Sequence, residues 1–162
     1  MIKAIMAMDL ANGVGKNGTI PWPRDKEDPT QFKNKTTGHI VVMGYNTYAD
    51  PMMPKPLKGR TNIVVTHNPD KVLGTRGIYA CITGNTILSI LEYAKGDQDV
   101  WIIGGPGLLN QCWPVVEEFH LTRIPGDFNC DNHLAFPVDD YTLIQGDVST
   151  SGNEYFVYKR FV

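Results

Sequence analysis

Two stretches of the sequence run from apolar, β-branched residues into glycine and then into a segment of helical character. They are Val41-Val42-Met43-Gly44-Tyr45-Asn46-Thr47 and Trp101-Ile102-Ile103-Gly104-Gly105-Pro106-Gly107-Leu108. Glycine allows the backbone to come close to a ligand, and the first N–H groups of a helix have no internal partner. Each turn can therefore offer donors to a phosphate, and a pair of such turns suits the pyrophosphate of a dinucleotide. Plain connection geometry explains the same turns equally well. Gly105-Pro106-Gly107-Leu108-Leu109-Asn110 matches only half of the Rossmann glycine pattern, and no ribose-binding acid follows at the expected distance, so a Rossmann fold is not expected.

A second group of chemically capable residues is Asp25, Glu27 and Asp28, crowded at the start of a helical stretch. The helix dipole favours carboxylates there whatever else they do. The preceding segment from Gly13 to Pro23 is glycine-rich and carries the large indole of Trp22, which gives it the character of a lid over a ligand. Metal and nucleophile chemistry find less support. His39, His67, His120 and His133 are dispersed, and Cys130-Asp131-Asn132-His133 offers at most half of one ligand set, so no metal site is expected. There is no Gly-x-Ser-x-Gly elbow, and a lone cysteine with a distant histidine is more often a core residue than a nucleophile.

These groups need a scaffold, and 162 residues suffice for one domain, expected to span residues 1–162. A net charge of -2 provides no basic field for nucleic acid or anionic lipid, so neither is an expected partner. The apolar start from Met1 to Met8 is cut short by Asp9 and Asn12 before a signal-peptide core forms, and reads as a strand. No stretch approaches the roughly 18 apolar residues of a membrane span. Cys81, Cys112 and Cys130 are odd in number and far apart, which suits packed or free thiols in a reducing cytoplasm.

Apolar and β-branched runs predict strands at Ile2–Met8, His39–Met43, Thr61–Thr66, Ile78–Ile82, Val100–Ile103, Glu118–Ile124, Tyr141–Gly146 and Tyr155–Phe161. Helices are predicted over Asp25–Thr36, Asn46–Asp50, Thr86–Lys95 and Leu108–Val116. Their alternation implies an α/β fold with a mainly parallel sheet of eight strands and about four helices. Gly146-Asp147 and Ser151-Gly152-Asn153 leave no room for a helix between the last two strands, which should form an antiparallel hairpin at the sheet edge.

Several motifs in fixed order resemble the dihydrofolate reductase family, in particular its compact bacterial and viral members. They are Val14-Gly15 with Ile20-Pro21-Trp22, Asp28-Pro29-Thr30-Gln31-Phe32-Lys33, Val42 to Thr47, Leu57-Lys58-Gly59-Arg60-Thr61-Asn62-Ile63-Val64-Val65, Ile103-Gly104-Gly105, and Leu121-Thr122-Arg123-Ile124. The resemblance runs from Ile2 to Phe161 and implies reduction of dihydrofolate by NADPH in a cytoplasmic monomer that antifolate inhibitors also bind. A pterin carries two parallel N–H donors on one edge, which a carboxylate at Asp28 can accept bidentately. The same negative charge favours protonation of the ring nitrogen beside the carbon that receives hydride, with water rather than Asp28 delivering the proton.

By the same resemblance Thr122 holds the Asp28 carboxylate and Trp22 excludes water. Ile5, Ala7 and Ile103 meet the pterin or nicotinamide, Phe32 and Leu57 enclose the benzoyl group, and Arg60 forks onto the glutamate tail. The cofactor is assigned to Ala7 and Ile103, to lid residues Val14, Gly15 and Ile20, and to the turn Gly44, Tyr45, Asn46 and Thr47. Val65, Thr66 and His67 are assigned to its adenosine end, and Gly104, Gly105, Pro106, Gly107 and Leu108 to the second turn. Tyr45 departs from the family by standing where a basic residue commonly meets the extra phosphate. Leu109 replaces a frequent aromatic, Ile20 a methionine or leucine, and Cys130 to Pro137 is a variant loop. Pro29 directly after Asp28 implies a helix that starts near Asp25 or Lys26, where a missing N–H costs little. The nearest alternatives are a pyrimidine reductase of riboflavin synthesis and a binding protein that has lost turnover.

Overall fold

In the computed structural model, residues 1–23 and 27–161 are described. Ten strands and four helices follow one another as β1 (Ile2–Met8), β2 (Gly13–Gly15), α1 (Glu27–Thr36), β3 (Ile40–Gly44), α2 (Tyr45–Ala49), β4 (Thr61–Val65), β5 (Ile78–Ile82), α3 (Thr86–Tyr93), β6 (Val100–Gly104), α4 (Pro106–Cys112), β7 (Glu118–Arg123), β8 (Asn132–His133), β9 (Tyr141–Val148) and β10 (Glu154–Arg160). Eight of the strands form one sheet in the order β5-β4-β3-β6-β1-β7-β10-β9. All joints from β5 to β7 are parallel, and the last two, β7 with β10 and β10 with β9, are antiparallel. The expected α/β architecture, its eight-stranded mixed sheet and its antiparallel C-terminal edge are all present.

The central strands are apolar throughout because both faces are covered. Ile40 and Val42 of β3 join Val100 and Ile102 of β6 in one apolar cluster around Phe119, while Val41 and Met43 join Trp101 and Ile103 in another. This is the period of two expected of a strand, so each strand feeds two cores. The second cluster also takes in Ile5, Phe32 and Leu57, which makes its face the one that carries the candidate substrate residues.

Some expectations need correction. The hairpin reverses at Ser149–Asn153, where the Ser149 N–H donates to the Asn153 carbonyl at 2.8 Å; Gly146 and Asp147 lie inside β9. Gly146 is there for space, since a Cβ would meet the Phe156 ring at 3.3 Å. The expected helix Leu108–Val116 begins earlier, at Pro106, because proline suits the first helical position. It ends at Cys112, and a 3₁₀ turn follows over Trp113–Val115 around Pro114, which cannot continue an α-helix. The expected helix starts at Asp25 or Lys26 lie outside the described residues. The three cysteines are free thiols. Among the described residues no helix is long and apolar enough to cross a membrane.

Candidate active site

Strand pairing sets the site out in rows. Side chains of paired residues share a face of the sheet. Ile5 pairs with His120, and His120 with Val157; one step further, Ala7 pairs with Thr122, and Thr122 with Tyr155. Helix α1 lies over these rows. The Thr122 hydroxyl donates to Asp28 Oδ1 at 2.7 Å, a bond between residues 94 apart in the chain that fixes the carboxylate above Ala7 and Ile5. Phe32, one helical turn after Asp28, packs with Ile5, Leu57 and Ile103 in the apolar cluster. The sequence-derived substrate residues Ile5, Phe32, Leu57 and Ile103 are thus in one pocket wall, with Asp28 and Thr122 at its polar end. Asp25 and the Glu27 side chain lie outside the described positions.

The other end of this wall carries Arg60. Its guanidinium stands 5.7 Å from the Phe32 ring, donates through Nε to the Lys58 carbonyl at 2.9 Å and through Nη1 to the Thr36 hydroxyl at 3.2 Å. Partial burial pulls its pKa below the ordinary arginine value, and it has no carboxylate partner among the described residues. A half-desolvated cation without a counter-ion is a site for an anion. The geometry depends on Asn62, 1% exposed, to which the motif reading gave no role. Its amide accepts from the Leu57 N–H at 2.9 Å and donates to the carbonyls of Leu57 and Arg60, both at 2.9 Å, so one side chain holds both ends of the loop. Gly59 completes that loop with a φ of 76°, a conformation few other residues adopt.

The two glycine turns meet across the β3–β6 joint. The register there shifts so that Met43 faces Gly104, which brings Gly44 against the Gly104–Gly105 segment. A Cβ on Gly44 would lie 3.8 Å from both the Gly104 carbonyl oxygen and the Gly105 nitrogen. Gly104 has a φ of 125°, and a Cβ there would meet Met6 Sδ at 3.2 Å and Thr47 Oγ1 at 3.5 Å. Gly44 and Gly105 cap α2 and α4 in extended conformation without side-chain bonds of their own.

From this junction a groove of about 600 Å³ runs along Tyr45, Asn46, Val65, Thr66, His67 and Leu108 to the turn before α3. That turn, Thr83-Gly84-Asn85-Thr86, also lines the groove and was not among the expected residues. Its signal was available: a third strand runs through Thr83-Gly84 into a helix, with Asn85 as an N-cap accepting from the Leu88 N–H at 3.1 Å. Pro106 and Gly107 form the first turn of α4, but neither lines the groove, and a Cβ on Gly107 would meet nothing within 4 Å.

The segment expected to serve as a lid is folded on itself. Asn17 and Gly18 have φ values of 51° and 76°, and the Lys16 and Thr19 backbones exchange hydrogen bonds of 2.8 and 3.0 Å, the pattern of a tight hairpin with Asn-Gly at its tip. β2 pairs with β8, and Asp131 joins the two: its N–H donates to the Gly15 carbonyl at 3.1 Å, and its carboxylate accepts from the Asn17 N–H at 2.9 Å. Asp9, fully buried, anchors the base by accepting from the N–H groups of Ala11, Gly13 and Phe128 at 2.9, 2.8 and 3.0 Å. Burial alone raises the Asp9 carboxyl pKa, but these N–H groups and the Cys130 thiol outweigh it and hold the net value below the ordinary range. Trp22 is buried beside Ile124, Cys130, Phe128 and Ala7, next to the row that carries Thr122. Val14 packs on the main core, whereas Ile20 is 48% exposed.

The sequence model of the dihydrofolate reductase family matches residues 1–158. Dihydrofolate reductase of Bacillus subtilis (strain 168) is 28% identical over 167 residues, covering 99% of this chain and 95% of the relative. Dihydrofolate reductase type 8 of Escherichia coli is 30% identical, covering 98% of this chain and 95% of its own. Among solved structures, the dihydrofolate reductase from Enterococcus faecalis complexed with NADP(H) and RAB-propyl superposes with a TM-score of 0.83 at 27% identity, over 100% of this chain and 97% of that one. Fold and neighbours together define a nicotinamide-dependent oxidoreductase. The chain belongs to the dihydrofolate reductase family, and its reaction is the NADPH-dependent reduction of dihydrofolate.

Proposed function

We propose that Asp28 is the carboxylate that binds and polarises the pterin as 7,8-dihydrofolate becomes 5,6,7,8-tetrahydrofolate. The observation that carries this reading is the 2.7 Å bond from Thr122 to Asp28 Oδ1, at the polar end of an otherwise apolar wall. A carboxylate there accepts the two N–H donors on one pterin edge, which fixes the ring over Ile5 and Ala7. Its charge also stabilises the protonated ring nitrogen, so that a proton from water and a hydride can add to adjacent atoms. Thr122 spends its only proton on Asp28 and so fixes the rotamer. Trp22 closes the wall against solvent, and Arg60 takes the carboxylate of the glutamate tail while Phe32 and Leu57 pack the ring between.

NADPH, when bound, supplies the hydride. The glycine junction fits it, because a side chain at Gly104 or Gly105 would crowd Thr47, and one at Gly44 would stand against the Gly104–Gly105 backbone, where a pyrophosphate would need to approach backbone donors. Val65, Thr66, His67 and Tyr45 then serve the adenosine end, and Val14, Gly15 and Ile20 the lid side. We further read the protein as a single-domain cytoplasmic monomer, in keeping with its free thiols, and as a binder of antifolates that present the same paired N–H edge.

The test is Asp28→Asn, which keeps the shape and removes the charge. Turnover at pH 7 should fall by on the order of 10²–10⁴ and recover in part at lower pH, where the pterin protonates unaided. Near-normal turnover at pH 7 would refute the assignment and pass it to Glu27.

A further inference from the structure

Helix α1 carries a polar stripe beside the Phe32 contact with the apolar wall. Asp28, Gln31 and Lys35 are three and seven residues apart, so they form one stripe along the helix. That stripe lies over the antiparallel end of the sheet, where Gln31 and Lys35 enclose with His120, Tyr155 and Asp147 a cavity of about 290 Å³. Because Thr122 pairs with Tyr155 in the next row, this cavity is the far side of the Asp28–Thr122 bond.

Lys35 forms no ion pair or hydrogen bond among the described residues, although burial is enough to pull its pKa below that of an ordinary lysine. The other charges around it are engaged or exposed. Glu118 of β7 bonds His120 Nε2 at 2.9 Å and lies 3.8 Å from Lys3 Nζ; Lys3 in turn pairs with Asp99 at 3.2 Å, and Asp99 with the N-terminal ammonium at 3.2 Å. Burial pushes the His120 pKa down to about 4, so it faces the cavity as a neutral ring. On β9, Asp147 is exposed and accepts from Gln145 Nε2 at 3.1 Å. Lys159 of β10, paired in register with Glu118, is exposed. Tyr155 supplies the remaining titratable group. Of the carboxylates whose charge acts on Lys35, Asp28 comes first, ahead of Glu118.

We propose that Lys35 is a positioning residue for the reaction, its ammonium acting across the cavity to keep Asp28 ionised, so that a carboxylate and not a carboxylic acid meets the pterin. The proposal rests on the reading of Asp28 given above. Seven helical residues span about 10 Å, and unit charges roughly 8–10 Å apart at an effective dielectric of about 20 shift a titration by about one pH unit. Solvent at this half-open helix face reduces the expected shift to about 0.5–1 unit.

The test is a ¹³C NMR titration of the Asp28 carboxylate in the ligand-free protein, assigned by its loss in Asp28→Asn. It compares wild type with Lys35→Met, which keeps the stem, and Lys35→Arg, which keeps the charge. The Asp28 midpoint should rise by about 0.5–1 unit in Lys35→Met and stay within about 0.2 unit in Lys35→Arg. Both limbs of the pH profile of kcat/KM should move upward with it, because losing a nearby cation favours protonation of Asp28 and of the pterin alike. An unmoved midpoint in Lys35→Met, or a profile that loses height without shifting, would overturn the proposal. The NMR arm needs no substrate, so its outcome is separate from the turnover of Asp28→Asn, which decides the role of Asp28 itself.

Discussion

Arg60 holds a guanidinium over the Phe32 ring, fixed by the Lys58 carbonyl and the Thr36 hydroxyl and without a carboxylate partner among the described residues. If that cation takes the glutamate tail, Arg60→Met should weaken dihydrofolate by roughly 1.5–3 kcal/mol, the worth of a charge-assisted pair. NADPH binding should not change, and a pterin without the tail should bind both proteins alike. Titration of the three ligands by fluorescence quenching checks this, and equal losses for folate and tailless pterin would count against the assignment. Single residues also mark the limit of what the chain discloses unfolded. Asp28, Arg60 and Thr122 are legible through the motifs around them. Asn62 is not, because a polar residue inside a strand run acquires its role only when the loop from Leu57 to Arg60 closes on it. Asp9 likewise reads as the end of a strand until Gly13, Phe128 and Cys130 fold around it.

At the scale of elements, the strands of the main sheet are legible because each is an apolar or alternating run bounded by polar or glycine residues. β2 and β8 are too short to have a period, although Asn17-Gly18 advertises the hairpin tip beside them. The strand-to-helix turns after β3 and β5 line the groove, and sequence reading singled out only the first of these for phosphate. His67 lines the groove just beyond β4, and Tyr45 lines it from the turn after β3. If His67 meets the extra phosphate of NADPH, it adds a polar contact that NADH cannot make. The ratio of kcat/KM for NADPH over NADH, measured at one pH, should then fall by about two- to tenfold in His67→Ala. An unchanged ratio would make His67 a bystander and transfer the role to Lys71, whose ammonium stands 5.9 Å from the centre of the Tyr45 ring.

Acid bears on the whole molecule through groups that fold with depressed pKa values. Burial holds His120 neutral down to about 4 against the pull of Glu118, so between about pH 6.5 and 4 the unfolded chain binds a proton that the folded one refuses. Stability from this source is complete above pH 6.5 and is lost as pH falls through that window. Asp9, also depressed, adds a further loss at lower pH. Urea midpoints should therefore decline from pH 7 to pH 4, and His120→Gln should flatten the upper part of that decline; an unchanged slope would show that His120 does not govern it.

The strand order has a consequence for synthesis. β1 is made first but sits in the middle of the sheet, with Ile2 paired to Val100 and Lys3 to Glu118. Its neighbours on both sides leave the ribosome only after some hundred further residues. Chains are extended at about 5–20 residues per second, so an apolar strand with two open edges waits for several seconds. The pace of translation across residues 9–99 thus sets how long the middle of the sheet depends on chaperones rather than on its own partners.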